Sequence, residues 1–306
     1  MTGLPEKIRV VEVGPRDGLQ GETQLIDSAT KIELINRLSS ARLPVIEATS
    51  FVSPRWIPQL SDAEAVLAGI DRRPGTDYPV LVPNLRGLQR ALSAGVREIA
   101  IFTAASETFS RKNINAGIDE SFDRIGEIAA SALTSGLRMR GYVSCVLGCP
   151  YEGRVSLDVV VDVARRLTQA GCYEVSLGDT IGVGTPGAAR GLVDAVAAEI
   201  GLQRVAVHFH DTRGQALANV LACLQAGVAT VDAAVAGLGG CPYARGATGN
   251  LATEDLIYML HGMGLETGVD LDALIETGLF ISRALGRRPV SKLGQIAALA
   301  AEQDII

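Results

Sequence analysis

The sequence predicts an α/β protein of the (β/α)8 TIM-barrel class with extra C-terminal helices. Three observations lead there. Short β-branched runs alternate with helix-length amphipathic segments. The alternation continues through eight strand-plus-helix units, spaced by roughly 20 to 35 residues. The 34 glycines and 4% aromatics describe an aliphatic core joined by glycine turns, which suits a parallel sheet better than a β-sandwich. The competing arrangement, an open doubly wound sheet, calls for a dinucleotide turn after strand one. Gly14-Pro15-Arg16-Asp17-Gly18 is not that fingerprint.

The elements follow in order. Strands are expected at 9–13, 45–48, 79–82, 98–102, 139–144, 174–177, 205–210 and 230–233. Apolar residues at 3.6 spacing mark helices at 29–40, 118–133, 157–170, 188–200, 216–226 and 253–263. Gly95, Gly136, Gly171 and Gly227 fall just past helical segments, the usual left-handed stop before a strand. Residues from about 270 to 306 are expected to form a helical extension. With about 250 residues needed for a barrel, 1–306 is expected to be a single domain with no linker.

Charge and cysteine content narrow the class. Net charge is −6, from 28 basic and 34 acidic residues, which removes most of the case for nucleic-acid or anionic-membrane binding. Five cysteines, at 145, 149, 172, 223 and 241, form no tight pairing pattern, and Met1–Lys7 lacks a signal-peptide core. Reduced thiols and a cytoplasmic location are the expectation. No apolar run approaches the roughly 18 residues of a membrane span.

Barrel enzymes place their chemistry at the C-terminal ends of the strands. Strand one ends in Arg16-Asp17, strand two in Glu47-Ala48-Thr49-Ser50, and strand six in Ser176-Leu177-Gly178-Asp179-Thr180. Each is a weak signal alone, because Asp, Ser and Gly commonly begin loops. Strand seven is sharper. His208 and His210, two of only three histidines, stand one residue apart and therefore share a face. That spacing suits a bound metal, although a hydrogen-bonded polar pair has the same pattern. Asp211 is either a partner of the site or a cap for the next helix.

The segment 237–250 carries five glycines around Cys241, more than packing explains. It fits a loop that approaches a ligand closely, with its cysteine available for acid–base work. Asn250 is either a helix N-cap or a carbonyl ligand to a hard cation. Asp17, His208, His210 and Asn250 together make a mixed N/O set without thiolate. Such a set favours Mg2+ or Mn2+ with open positions for substrate oxygens.

The runs Glu12-Val13-Gly14-Pro15-Arg16-Asp17-Gly18-Leu19-Gln20, Ile46-Glu47-Ala48-Thr49-Ser50-Phe51-Val52-Ser53-Pro54 and Gly141-Tyr142-Val143-Ser144-Cys145 resemble hydroxymethylglutaryl-CoA lyases, within the metal-dependent lyase/synthase barrel superfamily. Ala105-Ser106-Glu107, Lys112-Asn113-Ile114-Asn115, residues 176–182 and the Cys241 loop extend the resemblance over about residues 8–280. It implies retro-Claisen cleavage of 3-hydroxy-3-methylglutaryl-CoA to acetyl-CoA and acetoacetate. His208 would move the hydroxyl proton, Arg16 would hold the developing enolate oxygen, and Cys241 would protonate the enolate carbon. Asp17, Glu47 and Asp179 would serve as ligand, orienting or relay carboxylates. Gln20, Ser50, Ser176, Lys112 and Asn113, with Arg16, would contact the acyl-CoA, and Arg86 and Arg111 are further candidates for its phosphates. The resemblance also suggests a homodimer.

Two departures stand out. Gly21-Glu22-Thr23 replaces the Asn-Glu-Lys common in the family, and the C-terminus, Gln303-Asp304-Ile305-Ile306, has no cysteine for a tail thiol switch. The first leaves open a sibling lyase for another branched 3-hydroxyacyl-CoA, such as citramalyl-CoA or 3-hydroxy-3-isohexenylglutaryl-CoA. A condensing synthase of the same barrel type usually carries Gly-Glu-Arg where this chain has Gly-Gly-Cys-Pro. A non-catalytic barrel remains the alternative from a different class.

Overall fold

The computed structural model describes residues 3–239 and 249–303, with side chains to 301. Its strands are β1 (Arg9–Glu12), β2 (Val45–Ile46), β3 (Thr49–Ser50), β4 (Val80–Leu81), β5 (Glu98–Ala104), β6 (Arg138–Ser144), β7 (Glu174–Asp179), β8 (Val205–Phe209) and β9 (Thr230–Ala233). All pair in parallel, in the order β2-β1-β9-β8-β7-β6-β5-β4-β3. The two ends of that row are consecutive pieces of one stretch, 45–50. Ile46 N–H and Ala48 N–H donate to Asp77 O and Pro79 O on one side, while Glu47 N–H donates to Glu12 O on the other, each at 2.9 Å. The ladder therefore runs through the interruption, and the sheet closes into an eight-stranded barrel as expected.

Around it lie α1 (Ser28–Ser40), α2 (Ala63–Gly69), α3 (Leu85–Ser93), α4 (Glu107–Ile114), α5 (Ile118–Thr134), α6 (Leu157–Gln169), α7 (Pro186–Ile200), α8 (Ala216–Leu224) and α9 (Thr253–Gly262). The expected extension is α10 (Leu271–Ala284) and α11 (Lys292–Gln303). In α6 the pattern is plain: Val160, Val163, Ala164 and Leu167 form one buried stripe against the sheet. The short helices α2, α3 and α4 were not expected from the pattern. Each is seven to nine residues long and buries three residues or fewer, shorter than the stretch over which a helical period stands out.

The barrel interior is unusually charged. Parallel register sets Arg140 beside Glu174 and His208 beside Asp232, so these side chains share the inner face. Arg140 Nε donates to Glu174 Oε2 at 2.6 Å and its Nη2 to Asp232 Oδ1 at 2.7 Å. Thr230 Oγ1 donates to Glu174 Oε1 at 2.9 Å. Most of the hydrophobic core, including Val10, Leu38, Val163 and Val193, lies instead between the sheet and its helices.

Outside the barrel wall two buried glutamates tie loop to loop. Glu12 Oε1 accepts from Gly14 N–H at 2.7 Å and Val235 N–H at 2.9 Å, and its Oε2 accepts from Thr253 Oγ1 at 2.6 Å. Both oxygens of Glu254 accept from Ala236 N–H at 2.9 Å, where Ala236 holds a left-handed φ of 58°. Burial pushes the Glu254 carboxyl up to about 8, against the lowering effect of those amides. A carboxyl raised in the folded state favours folding below its unfolded pKa near 4.5, and that contribution is lost as pH rises through about 8. Glu254→Gln, which keeps an acceptor and drops the charge, should gain about 3 kcal/mol relative to the parent between pH 5 and pH 8. Urea unfolding of both proteins at the two pH values measures it; an unchanged difference refutes the raised carboxyl.

Candidate metal centre and active site

The peptide after β1 turns through Gly14–Gly18 as a single π turn, with Arg16, Asp17 and Gly18 N–H all directed to Val13 O at 2.7–3.2 Å. Gly18 is required there. A Cβ on it would lie 2.6 Å from the Cβ of Leu238, on the turn after β9. The two loop segments thereby meet, and the π turn delivers Arg16 and Asp17 to the C-terminal mouth of the barrel.

Arg16 organises the mouth. Its Nη1 donates to Asp17 Oδ1 at 2.5 Å and its Nε to Glu47 Oε2 at 2.7 Å, with Nη2 also 2.7 Å from that oxygen. The guanidinium carbon lies 5.4 Å from the Tyr142 ring centroid, and Tyr142 donates its hydroxyl to Glu47 Oε2 at 3.2 Å. Glu47 Oε1 is buried and has no hydrogen-bond partner. Burial raises the Glu47 carboxyl, with Arg16 pulling the other way. For Asp17 the balance reverses. Burial would raise it, but Arg16 and then the two imidazoles hold it well below the usual carboxylate range.

The ligand atoms of Asp17, His208 and His210 all lie within 4.8 Å of one another. His208 Nε2 is 3.9 Å from Asp17 Oδ2. Burial, followed by the neighbouring His208, pushes His210 down to about 4, so it is neutral at pH 7. Its Nδ1 is buried without a hydrogen-bond partner. An unpartnered imidazole nitrogen beside an ionised carboxylate is costly unless something fills it, and a divalent cation fits that donor set. The three residues can hold such an ion.

The other expected site residues divide. Asn250 reaches the cluster, but its Nδ2 donates to Asp17 Oδ2 at 2.9 Å and Leu238 O at 3.1 Å. The nitrogen end therefore faces Asp17, and offering the carbonyl to a cation requires a half-turn of the amide. Asp179 accepts from Val183 N–H at 3.2 Å and Gly184 N–H at 2.8 Å, so its carboxylate is engaged in shaping its own loop. Ser176 Oγ donates to Asp232 Oδ2 at 2.7 Å, and Ser50 Oγ is held by Leu81 O and Val52 N–H. Gln20 is half-buried just past the π turn. Lys112 and Asn113 are exposed on α4, with Lys112 Nζ 4.6 Å from the Tyr151 ring centroid. Cys241 lies outside the described residues. Asp211 Oδ1 accepts from Ala216 N–H at the start of α8, the capping alternative.

Three side chains in this assembly were not singled out from the sequence: Asp232, Arg140 and Tyr142. The signal was present. Asp232 interrupts Thr230-Val231-Asp232-Ala233, and Arg140 and Tyr142 alternate along β6. A charge inside an apolar strand, repeated at period two, marks a filled polar barrel once closure is known.

Comparison with known proteins gives consistent matches over nearly the whole chain. Residues 7–281 match the HMGL-like family. A mitochondrial hydroxymethylglutaryl-CoA lyase of Bos taurus is 58% identical over 292 residues, covering 95% of this chain and 90% of that protein. The structure of hydroxymethylglutaryl-CoA lyase from Pseudomonas aeruginosa superimposes with a TM-score of 0.95 at 55% identity, covering 98% and 100% of the two chains. An HMG-CoA lyase from Acinetobacter baumannii, solved with coenzyme A and 3-methylmalate, gives 0.91 at 39% identity over 96% of both chains. One expectation is overturned. Most close relatives are mitochondrial, so the cytoplasmic assignment does not stand. Composition and reduced thiols carry no organelle address, which resides in a targeting segment.

The donor set makes a direct prediction. Asp17→Asn removes the anionic ligand while keeping its shape, and should weaken Mn2+ binding at least ~100-fold by titration calorimetry. Unaltered binding would show that the ion sits elsewhere.

Proposed function

The chain belongs to the HMGL-like family of hydroxymethylglutaryl-CoA lyases, and from that premise we propose that it cleaves 3-hydroxy-3-methylglutaryl-CoA to acetyl-CoA and acetoacetate with Mg2+ or Mn2+. The observation that supports this reading most directly is the cluster of Asp17, His208 and His210 beside the Arg16–Glu47 pair. A divalent cation held there would lower the pKa of the substrate's C3 hydroxyl. The protein's own groups account for the rest. A base takes the hydroxyl proton, the C3–O electrons form a ketone, the C2–C3 bond breaks, and its electron pair enters the thioester as an enolate.

With Nδ1 donating to Asp232 and Nε2 given to the cation, His208 would keep no lone pair for that proton, so the role expected of it passes to the open carboxylate of Glu47. Arg16 supplies the fixed positive charge for the enolate oxygen, pre-oriented by Glu47 and Asp17 so that little reorganisation is needed. The open Glu47 Oε1 is a ready acceptor for a substrate hydroxyl or for a proton in transit. Cys241, on the segment that begins just beyond Gly239, is the proposed acid that protonates the enolate carbon. A Cβ placed on Gly239, the last described residue before that segment, would stand 3.5 Å from the Gly18 Cα.

Purified protein with Mg2+ or Mn2+ should release acetoacetate from hydroxymethylglutaryl-CoA, and EDTA should abolish the release. Cys241→Ser should lower kcat at least ~100-fold with metal affinity preserved; full turnover would remove Cys241 from the chemistry. Rates on citramalyl-CoA and longer branched 3-hydroxyacyl-CoA esters, measured side by side, decide the acyl specificity. A clear preference for one of those esters would replace the proposed substrate.

A further inference from the structure

Four consecutive strands converge on one carboxylate in the barrel interior. Asp232 on β9 receives Arg140 Nη2 at 2.7 Å and Nη1 at 3.1 Å from β6, Ser176 Oγ at 2.7 Å from β7, and His208 Nδ1 at 3.2 Å from β8. Asp232 is 2% exposed and Arg140 1%, so neither charge is shared with solvent. Arg140 cannot swing away, because Glu174 holds its Nε from the far side at 2.6 Å. The two Nη atoms of Arg140 bridge both oxygens of Asp232, the geometry of an ionised carboxylate beside a guanidinium.

An ionised carboxylate is an acceptor only, so the His208 nitrogen facing it must carry a proton. That fixes the tautomer. Nδ1 bears the hydrogen and Nε2, on the opposite side of the ring, turns its lone pair toward Asp17 Oδ2, 3.9 Å away. We propose that Asp232, braced by Arg140, is the positioning residue of the metal centre: it locks His208 as the Nδ1–H tautomer and aims Nε2 at the cation. The inference rests on the metal-binding reading above. It adds that the ligand geometry is set from inside the barrel, by an ion pair that touches neither substrate nor metal.

The test uses metal affinity and tautomer state, which a general loss of stability does not move. Mn2+ titration of the metal-free protein should give one site, weakened roughly 10- to 100-fold by Asp232→Asn. Glu174→Gln removes the same kind of buried charge one step farther along the chain of contacts. It should lower the melting temperature while leaving Mn2+ affinity within about threefold, since measured effects of this kind vary by that factor. If Asp232→Asn fails to fold, the double variant Asp232→Asn/Arg140→Gln deletes both members of the pair, with Glu174 still facing Arg9 Nη1 at 3.5 Å and Thr230 Oγ1 at 2.9 Å. The same weakening is expected from it.

Long-range 1H–15N spectra read the tautomer directly, and three histidines keep the assignment simple. The Mg2+-loaded parent should show a single Nδ1–H form for His208, and Asp232→Asn a mixture. Unchanged affinity and an unchanged tautomer in the variant overturn the proposal. Equal loss of affinity in Glu174→Gln overturns it too, by making the role merely structural. A parent that binds no Mn2+ refutes the metal reading itself. In that case the tautomer of the metal-free parent decides the Asp232 contact separately.

Discussion

Arg140 sits in the middle of the barrel with Glu174 on one side and Asp232 on the other, and the geometry of the active mouth depends on that pairing. A guanidinium removed from water is costly, and the attraction of its partners offsets the cost only when every donor is used well. Here the carboxylates come from β7 and β9, strands that are not neighbours. The ion pair therefore measures the barrel's diameter. A barrel slightly wider or narrower, or shifted in register, would leave a buried charge uncompensated. Apolar packing alone would tolerate such slack more readily.

From this centre the polar groups run outward in one connected series. Glu174 holds Arg140, Arg140 holds Asp232, and Asp232 holds His208. Across the gap between the candidate ligands Asp17 is held by Arg16, and Arg16 by Glu47, which also receives Tyr142. Each side chain is fixed by its neighbour rather than by solvent, so the series is held in one arrangement. The openings in the series are informative. Among the described residues, His210 Nδ1 and Glu47 Oε1 are buried acceptors left free at the mouth. They mark where a cation and a substrate have something to gain.

Much of this was legible in the sequence, and the illegible part has physical causes. The strands and their order follow from β-branched runs alternating with helical segments through eight units, and the same-face placement of His208 and His210 from their spacing of two. Asp17 and Glu47 follow from their positions at strand ends. Asp232 and Arg140 escaped notice because their pairing spans 92 residues and exists only after closure. Asp179 shows the converse difficulty. At a strand's C-terminal end it looks like a catalytic carboxylate, but its backbone partners lie four and five residues ahead. Which end of the Asn250 amide faces Asp17 is likewise fixed by packing against Leu238 O, not by residue type.

The Glu12 carboxylate has a bearing on timing. It lies beside the turn that carries Arg16 and Asp17, yet its partners Val235 and Thr253 stand 223 and 241 positions later. At roughly 5–20 residues per second, a growing chain carries this buried-to-be charge without partners for on the order of 10–50 s. Strand one can be made, and even extended, long before anything can seal its end. The mouth of the barrel is therefore among the last regions to become native on the ribosome, and a chain released short of residue 253 would lack it however complete its other strands.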